Sequence, residues 1–138
     1  MFKKEIALKI NAIVLGALAI LDLIRGYMHT FNINWASANI AKIDPIPDSL
    51  MLMGSFGISN FLTGFIYLLI IWKAKKLAPY ILLLIPFSYV LGIIGLKMQH
   101  VQMEAEFNGQ YMMHVYLILC ALTGVYYFVA SKLNKDEN

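Results

Sequence analysis

Asp22, Arg25 and His29 stand three and four residues apart in the segment ILDLIRGYMHTF, residues 20–31, where a long apolar run ends. At about 100° per helical residue, Arg25 lies about 60° from Asp22 around the axis, and His29 about 20°. Asn11, three turns earlier, falls about 20° from Asp22 as well, so the four residues form one polar stripe that leaves Tyr27 aside. These residue types suggest definite chemistry. An arginine fork holds a carboxylate or phosphate group through paired hydrogen bonds. An aspartate can exchange a proton, and a histidine can act as acid, base or metal ligand near neutral pH. The alternative is structural. Asp22 and Arg25 at i, i+3 can pair with each other and fix the register of packed helices.

The other histidines extend the pattern. His100 follows the apolar part of the third hydrophobic stretch, and His114 falls in the first turns of the fourth. Antiparallel helices bring both to the end where His29 sits. Glu104 is four residues beyond His100, and a helix continuing to residue 106 would put the two on one face. His29, His100, Glu104 and His114 are therefore candidate metal ligands, of types that bind zinc. No HxxxH, HExxH or cysteine pair accompanies them. Haem held by two of the histidines is a second cofactor possibility. The plain reading is three amphipathic side chains at headgroup depth. Deeper in the chain's apolar part, Asn60, Thr63 and Tyr67 repeat at i, i+3 and i+7, and Ser88 and Tyr89 join them from the third stretch. Asp22, Arg25, His29, Asn60, His100 and His114 thus make up a candidate ligand-binding set. It lines a polar pocket expected to open at the histidine end.

Something must position these residues, and the composition says what. Of 138 residues, 60% are hydrophobic and 14% charged, with a mean hydropathy of +0.69. A soluble domain is nearer half apolar and about a quarter charged. Helices are expected at about 5–29, 48–72, 77–106 and 110–131, each with roughly the 20 residues that cross a bilayer. Polarity does not alternate along them, which argues against a membrane barrel. The expected fold is all-α, a single integral membrane four-helix bundle. A charge at the centre of a lipid-facing helix costs about 3 kcal/mol or more, so the stripe must face inward. Lys3 and Lys4 resemble the start of a secretory signal. The apolar core behind them is too long, however, and "GALA" at 16–19 is a poor cleavage site, so the helix is expected to be retained.

Orientation follows from the cations. Lys3, Lys4, Lys9, Lys73, Lys75, Lys76, Lys132 and Lys135 fall on the side of the termini, against Arg25, Lys42 and Lys97 on the other. The positive-inside rule places both termini in the cytoplasm of a multi-pass cell-membrane protein. The net charge of +3 comes from these flanks, which suit a lipid bilayer as partner. No basic stripe interleaved with exposed aromatics points to nucleic acid.

Local signals add detail. The segment between the first two helices contains NWASANIAKI, which suits a short interfacial helix with Trp35 at headgroup depth. Pro45 and Pro47 stiffen its end, and Asp48 or Ser49 is placed to cap the next helix. The turn KAKK, 73–76, predicts that the second and third helices pack as an antiparallel hairpin. Pro86 should kink the third. Gly54, Ser55, Gly57 and Ser59, and separately Gly92 and Gly95, mark faces for close helix approach. Cys120 is the single cysteine and reads as a small core or lipid-facing residue, and the eight methionines read as gap-fillers.

Four helices, a short cytoplasmic turn and the late "IRGYMHTF" of the first helix resemble the DoxX-like group of small bacterial membrane proteins. The resemblance implies a bacterial inner membrane and a redox-associated setting, and assigns no residue a role. Three functions compete on the residues. The first is binding or carriage of a small amphipathic or anionic ligand, such as a quinone, a lipid headgroup or a small anion. The second is an enzyme or metal protein built on the histidines. The third is an accessory subunit of a larger membrane complex, with a homo-oligomer as the other assembly open to the chain. A pore would need oligomerisation.

Overall fold

The structure is a computed structural model that describes residues 2–100 and 109–136. Helix α1 spans Phe2–Thr30, and the short helix α2 spans Ile33–Ala36 and runs into a π-helical turn, Ser37–Ala41. Helix α3 spans Pro47–Lys73, α4 spans Ala78–Met98 and α5 spans Gly109–Asp136. Among the described residues there is no strand, and four helices are long and apolar enough to cross a membrane.

Side-chain neighbours fix the directions. Gly57 of α3 meets His29 and Thr30 of α1, Gly64 meets Ala19 and Leu23, and Gly16 meets Ile71, so α3 runs antiparallel to α1. Asn11 donates from Nδ2 to the Thr123 carbonyl at 2.9 Å, and Tyr116 reaches Asp22, so α5 is antiparallel to α1 as well. Gly124 meets Pro79 and Leu83 while Tyr80 packs edge-on to Phe128, which makes α4 antiparallel to α5. The result is an up-down-up-down bundle. The described lysines Lys4, Lys73, Lys75, Lys76 and Lys132 gather at one end. The α2 segment, the end of α4 and the start of α5 gather at the other.

Helix α1 is the hub. Of its most apolar window, 39% is buried inside the molecule, against 17% for the segment containing α4. It packs along α3 and against α5, and Leu15, Leu18 and Ala19 join Leu82, Tyr116 and Cys120 in the main core. The buried positions of α3 are Met53, Gly57, Asn60, Gly64 and Tyr67, alternating steps of four and three. That is the heptad spacing of helices crossing at a shallow angle. Glycine recurs in it because the α1 backbone comes close there: a Cβ on Gly64 would lie 3.0 Å from the Ala19 carbonyl oxygen.

Several local expectations are corrected. α3 and α4 do not pack as a hairpin. Their tight connection, Lys75–Leu77, is present, but the two helices hardly touch, because α4 buries Ala78, Pro79 and Leu82 against its other neighbours. Gly92 and Gly95 have nothing within 4 Å of where a Cβ would be, so they mark no packed face. Ser55 is exposed. α4 is helical through Pro86 but ends at Met98, short of the expected 106; Gln99 caps it, and His100 takes a left-handed φ of 56°. The expected extension over 101–106 lies outside the described residues. Gly109 opens α5, one residue before the expected start at 110. α5 runs on to Asp136, past the expected end at 131. Pro47 opens α3 with no side-chain cap, and Ser49 instead donates back to the Asp44 and Ile46 carbonyls.

The short helix in the first connection is present. Ala36, Ser37 and Ala41 are buried, Ala36 and Ala41 pack with Met53, Met28 and Ile33, and Trp35 is half exposed. Lys42 ends the turn with a left-handed φ of 52°.

Candidate functional site

The inward stripe of α1 is where the helical spacing puts it. Asn11 is fully buried and Asp22 is 4% exposed. Asn11 lies apart, near the lysine-rich end, where it ties α1 to α5 through the Thr123 carbonyl. Asp22 sits eight residues, about 12 Å, below the C-terminal end of α1. Its Oδ2 accepts hydrogen bonds from Thr63 Oγ1 of α3 at 3.1 Å and from Tyr116 Oη of α5 at 3.2 Å. Three helices therefore converge on one carboxylate. The Tyr67 hydroxyl stands beside that of Tyr116.

Arg25 is held differently. Its Nη1 lies 3.6 Å from Asp22 Oδ1, close enough to pair charges but too long for a hydrogen bond. Its guanidinium lies 5.8 Å from the centre of the Phe56 ring. The buried Nε has no hydrogen-bond partner among the described residues. The side chain is only 13% exposed. A buried donor without an acceptor costs about 1–3 kcal/mol, more when charged, so this guanidinium has unused capacity for an acceptor. The carboxylate beside it, by contrast, already has three partners.

Both residues line a cavity of about 490 Å³ between α1, α3, α4 and α5. Its polar lining comes from Asp22, Arg25, Asn60 and Thr63, with Ser59 and Ser88 near the rim. Its apolar walls come from Ile81, Leu84 and Ile85 of α4 and Leu117 of α5. It extends along α3 from Phe56 to Tyr67, eleven residues or about 16 Å. That volume lies within the range of small-molecule sites.

The candidate residues divide. Asp22, Arg25 and Asn60 come together on the cavity wall. His29 stands just behind, its Nδ1 3.4 Å from Asn60 Nδ2 and its ring 6.1 Å from that of Phe56. His100 and His114 are exposed and do not line the cavity. Among the described residues, no group of three or more His, Cys, Asp or Glu side chains could hold a metal ion. Glu104, the fourth candidate ligand, lies outside the described residues. The helical spacing that paired it with His100 is broken by the left-handed backbone at His100.

Tyr116 is the site residue that spacing along the sequence did not single out. The signal lies in α5 itself, where Tyr116, Cys120, Gly124, Tyr127 and Ala130 recur every three or four residues as its buried face. Tyr111, one turn before His114, is exposed. The chain matches no family model, no curated protein and no solved structure.

Proposed function

We propose that this is a multi-pass membrane protein whose bundle binds a small amphipathic or anionic ligand in the Asp22–Arg25 cavity. One observation carries the reading: a largely buried arginine on the wall of a ligand-sized cavity whose Nε lacks an acceptor. Asp22 keeps the guanidinium charge-balanced at 3.6 Å without consuming its donors, and Thr63 and Tyr116 hold Asp22 in turn. An incoming carboxylate or phosphate then completes the arginine's hydrogen bonds. In this reading the lysine-rich end faces the cytoplasm with both termini, and the cavity lies in the middle of the bundle. The DoxX-like layout is compatible with such a setting in a bacterial inner membrane.

Hexanoate titrated into the protein in a non-ionic detergent should raise its Tm, because a ligand that binds only the folded state stabilises it by mass action. Arg25→Gln should remove at least about nine-tenths of the affinity, some 1.4 kcal/mol. If Arg25→Gln follows the wild-type titration curve, the arginine is not the ligand anchor.

A second reading, an accessory subunit or homo-oligomer, draws on α4. From Phe87 to His100 every residue is exposed, Gly92 and Gly95 included. A stable heteromer retained in mild detergent would favour it.

A further inference from the structure

The seams of the bundle are unequal. α1 packs closely on α3 and on α5, and α4 packs closely on α5. The fourth seam, between α3 and α4, is open: these helices share a short turn at one end and hardly touch along their length. Both nevertheless line the cavity. Its rim there is made of exposed residues, Phe56 and Ser59 on α3 and Leu84 and Ser88 on α4. In a bilayer, helices standing this way present that seam to acyl chains rather than to water.

We infer that the ligand is a single-chain carboxylate amphiphile that reaches the cavity sideways from the bilayer, between α3 and α4. This rests on the proposed ligand-binding role of the same cavity. The lining is graded to match. Arg25, on the cavity wall, offers its cation to an acidic head. Ile81, Leu84, Ile85 and Leu117 offer an apolar wall to a chain. The slot's length of about 16 Å along α3 exceeds what a small inorganic anion requires. A purely aqueous anion would gain nothing from the apolar wall, and an uncharged hydrocarbon would give Arg25 no acceptor beyond its charge pairing with Asp22.

The test uses the full chain in nanodiscs of phosphatidylcholine, with 16-doxyl-stearate as probe and its methyl ester and soluble hexanoate as controls. Electron paramagnetic resonance should show an immobilised stearate population in the wild type. Arg25→Gln should weaken its binding about tenfold. Ser88→Trp, a substitution at the exposed rim, should weaken stearate severalfold more than it weakens hexanoate. The methyl ester should bind about tenfold less well than the acid. Should Arg25→Gln fail to fold, Arg25→Lys, which keeps the charge and loses the fork, makes the same comparison. If hexanoate binds through Arg25 and stearate does not, the anion site stands and the sideways route falls. Stearate binding that ignores Ser88→Trp also overturns that route. Equal binding of acid and ester overturns the acidic head. If neither stearate nor hexanoate binds, both the route and the site fall.

Discussion

Asp22→Leu should destabilise the bundle by about 3 kcal/mol, and adding Arg25→Met should recover most of that loss. Removing one partner of a buried ion pair typically costs 3–5 kcal/mol, because the other charge is left uncompensated. Asp22 also accepts from Thr63 and Tyr116, so Asp22→Leu strips two further helices of a shared acceptor. Interhelical hydrogen bonds in membranes are worth about 0.6 kcal/mol each on average, which keeps the estimate at the low end of that range. The double variant has no buried charge and roughly conserved volume. Its remaining deficit should be about 1 kcal/mol, mainly from the lost acceptor of the Tyr116 hydroxyl, since Thr63 keeps the Asn60 carbonyl at 3.0 Å. Unfolding in graded denaturing detergent, run as a double-mutant cycle, reads the coupling directly. Additive single effects would show that the 3.6 Å pair is not energetically real. A stable double variant that no longer responds to hexanoate would separate the two roles of the pair, structural and ligand-holding.

Gly64→Leu should cost about 3 kcal/mol while Gly92→Leu changes stability by less than about 0.5 kcal/mol. A Cβ at 64 would meet Leu23 Cγ and Cδ2 at 2.9 Å and the Ala19 carbonyl oxygen at 3.0 Å. The leucine could rotate, but the carbonyl belongs to the α1 backbone and cannot yield without separating the helices. Gly57 is held in the same way, with Thr30 Cγ2 at 2.8 Å and His29 Cβ at 2.9 Å. At Gly92 nothing lies within 4 Å. The same unfolding measurement on both variants decides whether the bundle is built on the α1–α3 seam. Equal losses would mean that α4 is as tightly packed as α3.

How much of this could be read from the residues depended on the kind of signal. Helix existence came from hydropathy alone, since each of the four apolar runs could only satisfy its backbone in lipid as a helix. The inward turn of Asn11 and Asp22 came from the 100° step and the cost of exposing charge to hydrocarbon. Neighbour choice was not legible. The KAKK turn made α3 and α4 consecutive, yet α4 packs on α5 through Pro79, Leu83 and Gly124. A short turn fixes where two helices begin and end, not which faces they bury. The same gap hid the apolar wall that Ile81, Leu84 and Ile85 of α4 give the cavity. Glycine spacing misled for a related reason. Gly57 and Gly64 matter because α1 is opposite them, whereas Gly92 and Gly95 face nothing. The histidines showed the limit of counting residue types at one end of a bundle: His29 reaches Asn60, but His100 and His114 are exposed and do not line the cavity.

In the proposed function Arg25 anchors an acidic ligand inside the bundle. Native mass spectrometry of the wild type and Arg25→Gln, each released from mild detergent, tests it most directly. The wild type should carry a small acidic amphiphile at near one-to-one occupancy, identified by fragmentation, and Arg25→Gln should have lost it while remaining a folded species. Identical spectra for the two proteins, or a wild type with no adduct even after incubation with long-chain carboxylate, would contradict the claim and leave the Asp22–Arg25 pair as a helix lock.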